Sequence, residues 1–330
     1  MRSREFHLAA RPTGEPRLSD LQLVTVDVPE PERGQVVVRN TWMSVDPYMR
    51  GRMDDVPSYI PPFAIGAPLE GSALGEVIAS RAPGVPVGAT VVHFAGWREI
   101  AVVEAADVTV VDPALAGPEA WLGPLGMTGL TAWVAVTEIA PVRPGDTVFV
   151  SAAAGAVGSV AGQLARKAGA AVVIGSAGGP EKAKKLVADL GFDHGLDHRA
   201  GPIADQLAAA APDGIDVYVD NVGGDHLQAA LASARLGARF ALVGGISGYN
   251  GDAVGVTNTY QSVVRRATLR GMLVTEWTHL APVWVQRAAG WLADGSLRTE
   301  STVVDGLEAA PEAFLGLLRG KNTGKMLVRL

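Results

Sequence analysis

The chain has 330 residues, enough for two domains of ordinary size. Its 28 Lys and Arg against 34 Asp and Glu leave a net charge of −6, which offers no broad attraction to nucleic acid or to an anionic membrane. Hydrophobic residues at 48% and charged ones at 19% exclude wholesale disorder, and the absence of cysteine removes disulfides, thiolate metal sites and a cysteine nucleophile.

The N-terminus, Met1-Arg2-Ser3-Arg4-Glu5-Phe6, starts basic but leads into no signal-peptide apolar run. Residues 148–165 are weakly polar, yet they are built from Ala, Gly and Ser rather than the Leu, Ile and Phe of a membrane span. A cytoplasmic protein is expected. From Arg2 to about Trp121 the chain reads as short β segments at 21–28, 35–41, 72–79, 89–94, 99–103 and 108–111, separated by turns such as Pro31-Glu32-Arg33-Gly34. That spacing predicts a compact, barrel-like β domain.

After Pro124 the pattern changes. A helix at 128–137 is followed by strands at 146–150, 171–175, 215–220 and 238–244, with helices at 158–168, 180–190, 203–210 and 227–234. Near-continuous apolar strands between amphipathic helices predict a parallel sheet covered on both faces, an α/β fold. From about Trp291 the chain returns to a β-like end at 325–330. The expected division is therefore 1–124, completed by 291–330, and 125–290.

The most informative run is Val148-Phe149-Val150-Ser151-Ala152-Ala153-Ala154-Gly155-Ala156-Val157-Gly158. A strand enters a glycine-containing turn that opens a helix, so backbone amides can meet a pyrophosphate with no Cβ in the way. Ala stands at the first position of the usual glycine fingerprint, and a plain packing turn is the competing reading. A dinucleotide site usually carries an acid at the next strand tip, for the ribose 2′-hydroxyl. Here that tip reads Ile174-Gly175-Ser176-Ala177-Gly178-Gly179-Pro180-Glu181-Lys182. The tip lacks a carboxylate that would repel a 2′-phosphate, and Lys182 supplies a cation, although alone it reads equally well as a solvated helix residue. Together these features favour NADP(H) over NAD(H).

A β domain followed by a nucleotide domain and a short return resembles the medium-chain dehydrogenase/reductases over essentially the whole chain. Zinc enzymes of that group need a Cys and a Gly-His-Glu run, where this chain has Gly66-Ala67-Pro68-Leu69-Glu70-Gly71, so the zinc-free branch is the match. Asp46-Pro47-Tyr48-Met49-Arg50 is similar to the signature of the leukotriene dehydrogenase, prostaglandin reductase and alkenal double-bond reductase family. Met127-Thr128-Gly129-Leu130-Thr131-Ala132, Asp216 through Gly224, Gly244 through Asn250 and Gly320 through Lys325 resemble four further motifs of that family, in order.

The resemblance implies a GroES-like catalytic β-barrel domain and a Rossmann NADP-binding domain, paired as a homodimer through the nucleotide domains. It places Gly155, Ala156, Val157 and Gly158 at the pyrophosphate, and Lys182 with Ser176 at the 2′-phosphate. Asn221 falls near the nicotinamide ribose. Val243, Gly244, Gly245, Ile246, Ser247, Tyr249, Met272, Leu273 and Val274 line the nicotinamide side, and Asn322 reaches the cofactor from the return. His198 stands where the family often has Tyr, with Arg199 beside it as added positive charge.

The implied reaction passes a hydride from NADPH to the β-carbon of an α,β-unsaturated ketone or aldehyde. The developing enolate needs a hydrogen-bond donor and the α-carbon a proton, with no nucleophile. Tyr249 is the first catalytic candidate and Tyr48 the second. The competing readings are a packing ring in a glycine loop and a turn that buries the ring. Arg50 and Arg52 either attract a carboxylate-bearing substrate or bond neighbouring loops. Trp97, Trp277 and Trp284 either line an apolar cleft or fill cores. The six His suggest no metal site, since Gly195 between His194 and His198 argues against one helical face. A zinc-free quinone oxidoreductase and a non-catalytic NADPH-binding protein of the same fold are the alternatives.

Overall fold

In the computed structural model, which describes residues 1–251 and 255–330, the chain divides into two units, Met1–Leu122 with Ser301–Leu330, and Gly123–Glu300. The first unit opens with β1 (Arg2–Leu8), β2 (Leu21–Asp27), β3 (Gln35–Ser44) and the short helix α1 (Tyr48–Arg52). Then come β4 (Ala73–Ser80), β5 (Thr90–His93), β6 (Ile100–Glu104), β7 (Thr109–Val110) and α2 (Pro118–Leu122).

The second unit contains α3 (Met127–Val134), β8 (Thr147–Val150), α4 (Ala156–Lys167), β9 (Val172–Ala177), α5 (Pro180–Leu190) and β10 (His194–Asp197). It continues with α6 (Ile203–Ala210), β11 (Ile215–Asp220), α7 (Gly224–Ala232), β12 (Ala234–Leu242), α8 (Gln261–Arg265), β13 (Thr268–Gly271) and α9 (Ala281–Ala293). The return to the first unit consists of β14 (Ser301–Asp305), α10 (Ala310–Leu318) and β15 (Lys325–Arg329). Trp291 lies inside α9, packed edge-on against Trp284 at 6.2 Å, so the return starts at Ser301.

In the first unit, β1 and β2 form an antiparallel hairpin. Seven strands make the main sheet, in the order β14-β15-β3-β4-β5-β7 with β6 also paired to β3. The chain's last strand is therefore built into the sheet between β14 and β3. Long β3 alternates little, because its Val36, Val37 and Val38 are all buried. Trp97 lies at the centre of the larger core, edge-on to Phe6 and Phe314 at 6.1 Å each. His93 is sealed at the end of β5, where its Nε2 meets Asn40 Oδ1 at 2.8 Å and its Nδ1 accepts the Ala95 amide at 3.1 Å. Those bonds suit the neutral ring, and burial lowers its pKa to about 4.

The second unit is a six-stranded sheet in the order β10-β9-β8-β11-β12-β13, and each adjacent pair runs parallel. Counted from β8, that order is 3-2-1-4-5-6, and the chain reverses its direction of winding between β8 and β11. Loops leaving the carboxyl ends of those two neighbours diverge, which opens a crevice there by topology alone. Every residue of β8 is buried, and Phe149 stacks on Tyr218 of β11 at 5.0 Å. Helix α4 lies close on the sheet because its inner face is small, and a Cβ at Gly162 would fall 2.0 Å from the Phe192 ring. Trp284 is core as well: it stacks on Trp133 at 5.5 Å and donates Nε1–H to the Pro124 carbonyl at 2.8 Å. Among the described residues, no helix is long and apolar enough to cross a membrane.

Candidate functional site

The turn from β8 into α4 is pinned from both sides. The Ser151 amide donates to Val219 of β11, and the Ala153 amide donates to Ser176 of β9. Ala152 bends the chain at φ +47°, the left-handed region that the usual glycine would occupy at lower cost. Gly155 is the N-cap of α4 and brings no side chain to its first amides. The amides of Ala156, Val157 and Gly158 belong to the first turn, which has no intrahelical acceptor, and they sit at the positive end of the helix. A Cβ on Gly158 would stand 2.5 Å from the Ala152 carbonyl oxygen, so only glycine lets the helix start this close to the turn. A turn of this geometry can cradle an anion with backbone alone.

One strand over, β9 ends in Ser176 and Ala177, and Gly179 at φ +100° leads into Pro180, the first residue of α5. No acid stands at this tip. Asp197, on the neighbouring β10, accepts the amides of Gly179 at 2.7 Å and Arg199 at 3.0 Å, with its charge close to His198 and Arg199. Lys182, in the first turn of α5, has its pKa lowered by partial burial and by the Arg199 charge. Partial burial and the Arg199 and Lys182 cations also lower His198. A Cβ on Gly178 would come 3.0 Å from Arg199 Nε and 3.1 Å from His198 Cε1, which places both side chains over this glycine. Three basic groups thus crowd one strand-tip region and repel one another, the arrangement an added dianion relieves. Behind His198, edge-on at 5.4 Å, lies buried His226, whose pKa burial lowers to about 4. The Ser176 hydroxyl is fully covered and has no hydrogen-bond partner.

On the other side of the β8 turn, β11 ends in Asp220, whose Oδ1 accepts four donors: the Tyr218 hydroxyl, the Ser151 hydroxyl and the amides of Val222 and Gly223. Asn221 is fixed in turn, with its amide on Ser151 Oγ at 2.9 Å and its Nδ2 on the Ser151 carbonyl at 2.8 Å. Sequence reasoning missed Ser151 and Asp220. Their signal was present, in a polar pair at the tips of adjacent buried strands.

The loop after β12 docks on this tip. Val243 and Gly244 donate to the Asp220 carbonyl, Ile246 to Asn221, and Ser247 to Val222. Tyr249 closes the loop, with its hydroxyl near Gly244 and hydrogen-bonded to the Gly245 backbone. Burial raises its pKa above the ordinary tyrosine value, so the phenol remains a donor at neutral pH. Met272, Leu273 and Val274 follow β13, tied to the same sheet end by the Met272 amide on Leu242. The second unit therefore brings most of the expected positions to the carboxyl ends of its strands.

The remaining candidates belong to the first unit. Asp46 takes the Ser44 hydroxyl and the Lys325 ammonium of β15, which fixes the start of α1. Tyr48, next on α1, stacks on Phe94 at 6.3 Å, and its covered hydroxyl has no partner. Burial and the nearby Asp46 charge raise its pKa. Asn322 is buried and donates Nδ2–H to the Gly324 carbonyl at 2.8 Å. Arg50 serves the loops, donating to Gly14 O at 2.8 Å and pairing with Asp54.

The features of the second unit fit a phosphorylated dinucleotide: a helix start with unclaimed amides, a glycine at the close approach, and a basic cluster in place of a strand-tip acid. Among the described residues, no three His, Asp or Glu gather as a metal site requires.

Comparison with known proteins agrees in extent. A model described as the N-terminal domain of oxidoreductase matches residues 4–111, and one described as zinc-binding dehydrogenase matches 156–289. The chain is 36% identical to NADPH-dependent curcumin reductase of Escherichia coli, across 100% of this chain and 97% of that protein. It is 37% identical to 2-alkenal reductase (NADP(+)-dependent) of Nicotiana tabacum, across 96% and 94%. The crystal structure of CurA from Vibrio vulnificus in complex with NADPH matches with a TM-score of 0.93 at 37% identity, covering 99% of this chain and 98% of that one.

Proposed function

The chain belongs to the zinc-independent medium-chain dehydrogenase/reductase family, and from that premise we propose that it reduces the carbon–carbon double bond of α,β-unsaturated ketones and aldehydes. It is an NADP-dependent oxidoreductase. Gly155, Ala156, Val157 and Gly158 hold the pyrophosphate through backbone amides. Lys182 and Arg199, with His198, take the 2′-phosphate, and the fully covered Ser176 hydroxyl stays out of its reach. Asn221 positions the nicotinamide ribose, and Val243, Gly244, Gly245, Ile246 and Ser247 with Met272, Leu273 and Val274 flank the ring.

Bound NADPH supplies a hydride to the substrate's β-carbon. The chain's part is to meet the charge that then collects on the carbonyl oxygen, which needs a fixed donor and no nucleophile or metal. Tyr249 is that donor and can pass a proton to the enolate. The observation that carries this reading is the Tyr249 phenol, kept protonated by burial beside a glycine loop at the ends of the parallel strands.

The test is reduction of 4-phenyl-3-buten-2-one with NADPH deuterated at C4. Deuterium at the β-carbon of the saturated ketone is the expected result. Rapid turnover of a quinone with no consumption of the enone would replace this reading with a quinone reductase. NADPH binding without oxidation by either acceptor would indicate a non-catalytic protein.

The same reading takes the protein as a cytoplasmic homodimer joined through the second unit, where β13 is the end strand of the parallel sheet among the described residues. Sedimentation at twice the 34.2 kDa chain mass is expected, and a monomer at micromolar concentration would contradict it.

A further inference from the structure

His198 differs in kind from the two cations beside it. Lys182 and Arg199 carry their charge at neutral pH, whereas an imidazole titrates near about pH 6.5. All three belong to the second unit, at the tips of β9 and β10. His198 is exposed, follows directly on β10 and donates its amide to the Ala177 carbonyl, at the end of β9, at 3.2 Å. Its ring shares the space over Gly178 with the Arg199 guanidinium. Buried His226 of α7 meets the ring edge-on from behind.

The groups around this ring pull its proton in two directions. Partial burial, Arg199 and Lys182 keep it neutral, while Asp197 and the Ala177 backbone draw a proton toward it. His226 is itself held neutral by burial and adds no charge. A lysine or arginine in place of His198 would repel its two neighbours whether or not a ligand were bound. A tyrosine would add no charge in either state. A histidine stays neutral while the site is empty and becomes a third cation once a dianion offsets the first two.

We propose that His198 takes up a proton from solvent as the 2′-phosphate arrives, so that the preference for NADPH over NADH depends on pH in the neutral range. The proposal rests on the 2′-phosphate placement given above and adds a regulation of that site. The proton is on the ring in the complex and off it in the free protein. The affinity it adds is therefore full below the free ring's pKa and is lost as pH rises through the pKa in the complex. The phosphate's own second ionisation, near about pH 6, acts in the opposite sense, because binding as a dianion releases a proton. Net uptake at about pH 7 must then come from the protein.

Titration calorimetry of NADPH at about pH 7, in phosphate-free buffers of different ionisation enthalpy, counts these protons without any turnover. The wild-type protein is expected to take up about half a proton or more per NADPH and none with NADH. Its preference for NADPH, read by fluorescence titration, should fall by about ten-fold between about pH 6.5 and about pH 8.5. His198→Gln and His198→Tyr, at an exposed position, should both abolish the uptake and flatten that decline, whereas His226→Gln should leave the uptake in place. No uptake by the wild-type protein, or uptake that survives His198→Tyr, overturns the proposal. Lys182→Ala tells this failure from that of the site: a loss confined to NADPH keeps the 2′-phosphate where it is placed above, and equal losses of NADPH and NADH remove that placement and the proposal with it.

Discussion

Tyr249 and Lys182 carry opposite electrostatic demands, and each sets a measurable response. The Tyr249 phenol acts as a donor only while protonated, and burial raises its pKa. Activity that depends on it is therefore flat through neutral pH and lost as pH climbs past about 10, the ordinary tyrosine value. Tyr249→Phe removes one donor from the developing oxyanion and should lower kcat by about 10²–10³ while leaving NADPH affinity nearly unchanged. An unchanged kcat in stopped-flow turnover excludes the role.

In the proposed function Lys182 acts on the cofactor instead. Lys182→Ala should weaken NADPH far more than NADH in fluorescence titration, because only NADPH carries the 2′-phosphate. Equal losses would move the phosphate elsewhere. The sequence displayed both residues through their motifs. It displayed Asp220 only as a polar residue at a strand tip, because a carboxylate that accepts four donors across two strand tips is a property of register, and register is set by folding.

At the scale of elements, the turn between β8 and α4 separates two kinds of damage. Gly158→Ala drives a Cβ into the Ala152 carbonyl and displaces the whole cradle. NADPH and NADH should then weaken together, unlike the selective loss from Lys182→Ala. Ala152 tests the strain of the same turn. A non-glycine residue in the left-handed region costs about 1–2 kcal/mol, and glycine's extra freedom in the unfolded chain costs about 0.4–1 kcal/mol. Ala152→Gly should therefore stabilise the protein by roughly 0.5 kcal/mol, read as a higher urea midpoint, and a lower midpoint would show that the turn is relaxed.

Elements with a clear period or a capping signal were legible in the sequence. Helix α5 announces itself with Pro180 at its start and Gly191 in the left-handed region at its end. Helix α10 is buried on nearly all sides, so it shows no polar stripe and reads as an apolar return. Helix α9 hides for a related reason: Trp284 and Trp291 are spent on packing against each other, and Trp291 looks like a boundary when read alone.

For the molecule as a whole, acid is the expected weakness. His93 in the first unit and His226 in the second are both held neutral by burial, with pKa values lowered to about 4. An unfolded chain takes up those protons near pH 6.5, so stability is full above that value and falls as pH drops toward 4. Each histidine accounts for at most about 3 kcal/mol across that window. Urea midpoints measured at about pH 7 and about pH 5 should differ, and His226→Gln should narrow the gap. A gap unchanged by the substitution would assign the acid response to other groups.

The placement of β15 sets a rule for how this protein can be made. Strand β3 precedes the second unit in the chain, yet its partner β15, which lies between β14 and β3, is made only after the whole of that unit. The middle of the chain is contiguous and can close its own sheet while the opening strands still wait. A stop codon at position 325 strips β3 of a neighbour and Asp46 of its lysine. A product shortened that slightly would keep an intact nucleotide half beside a half that never finishes.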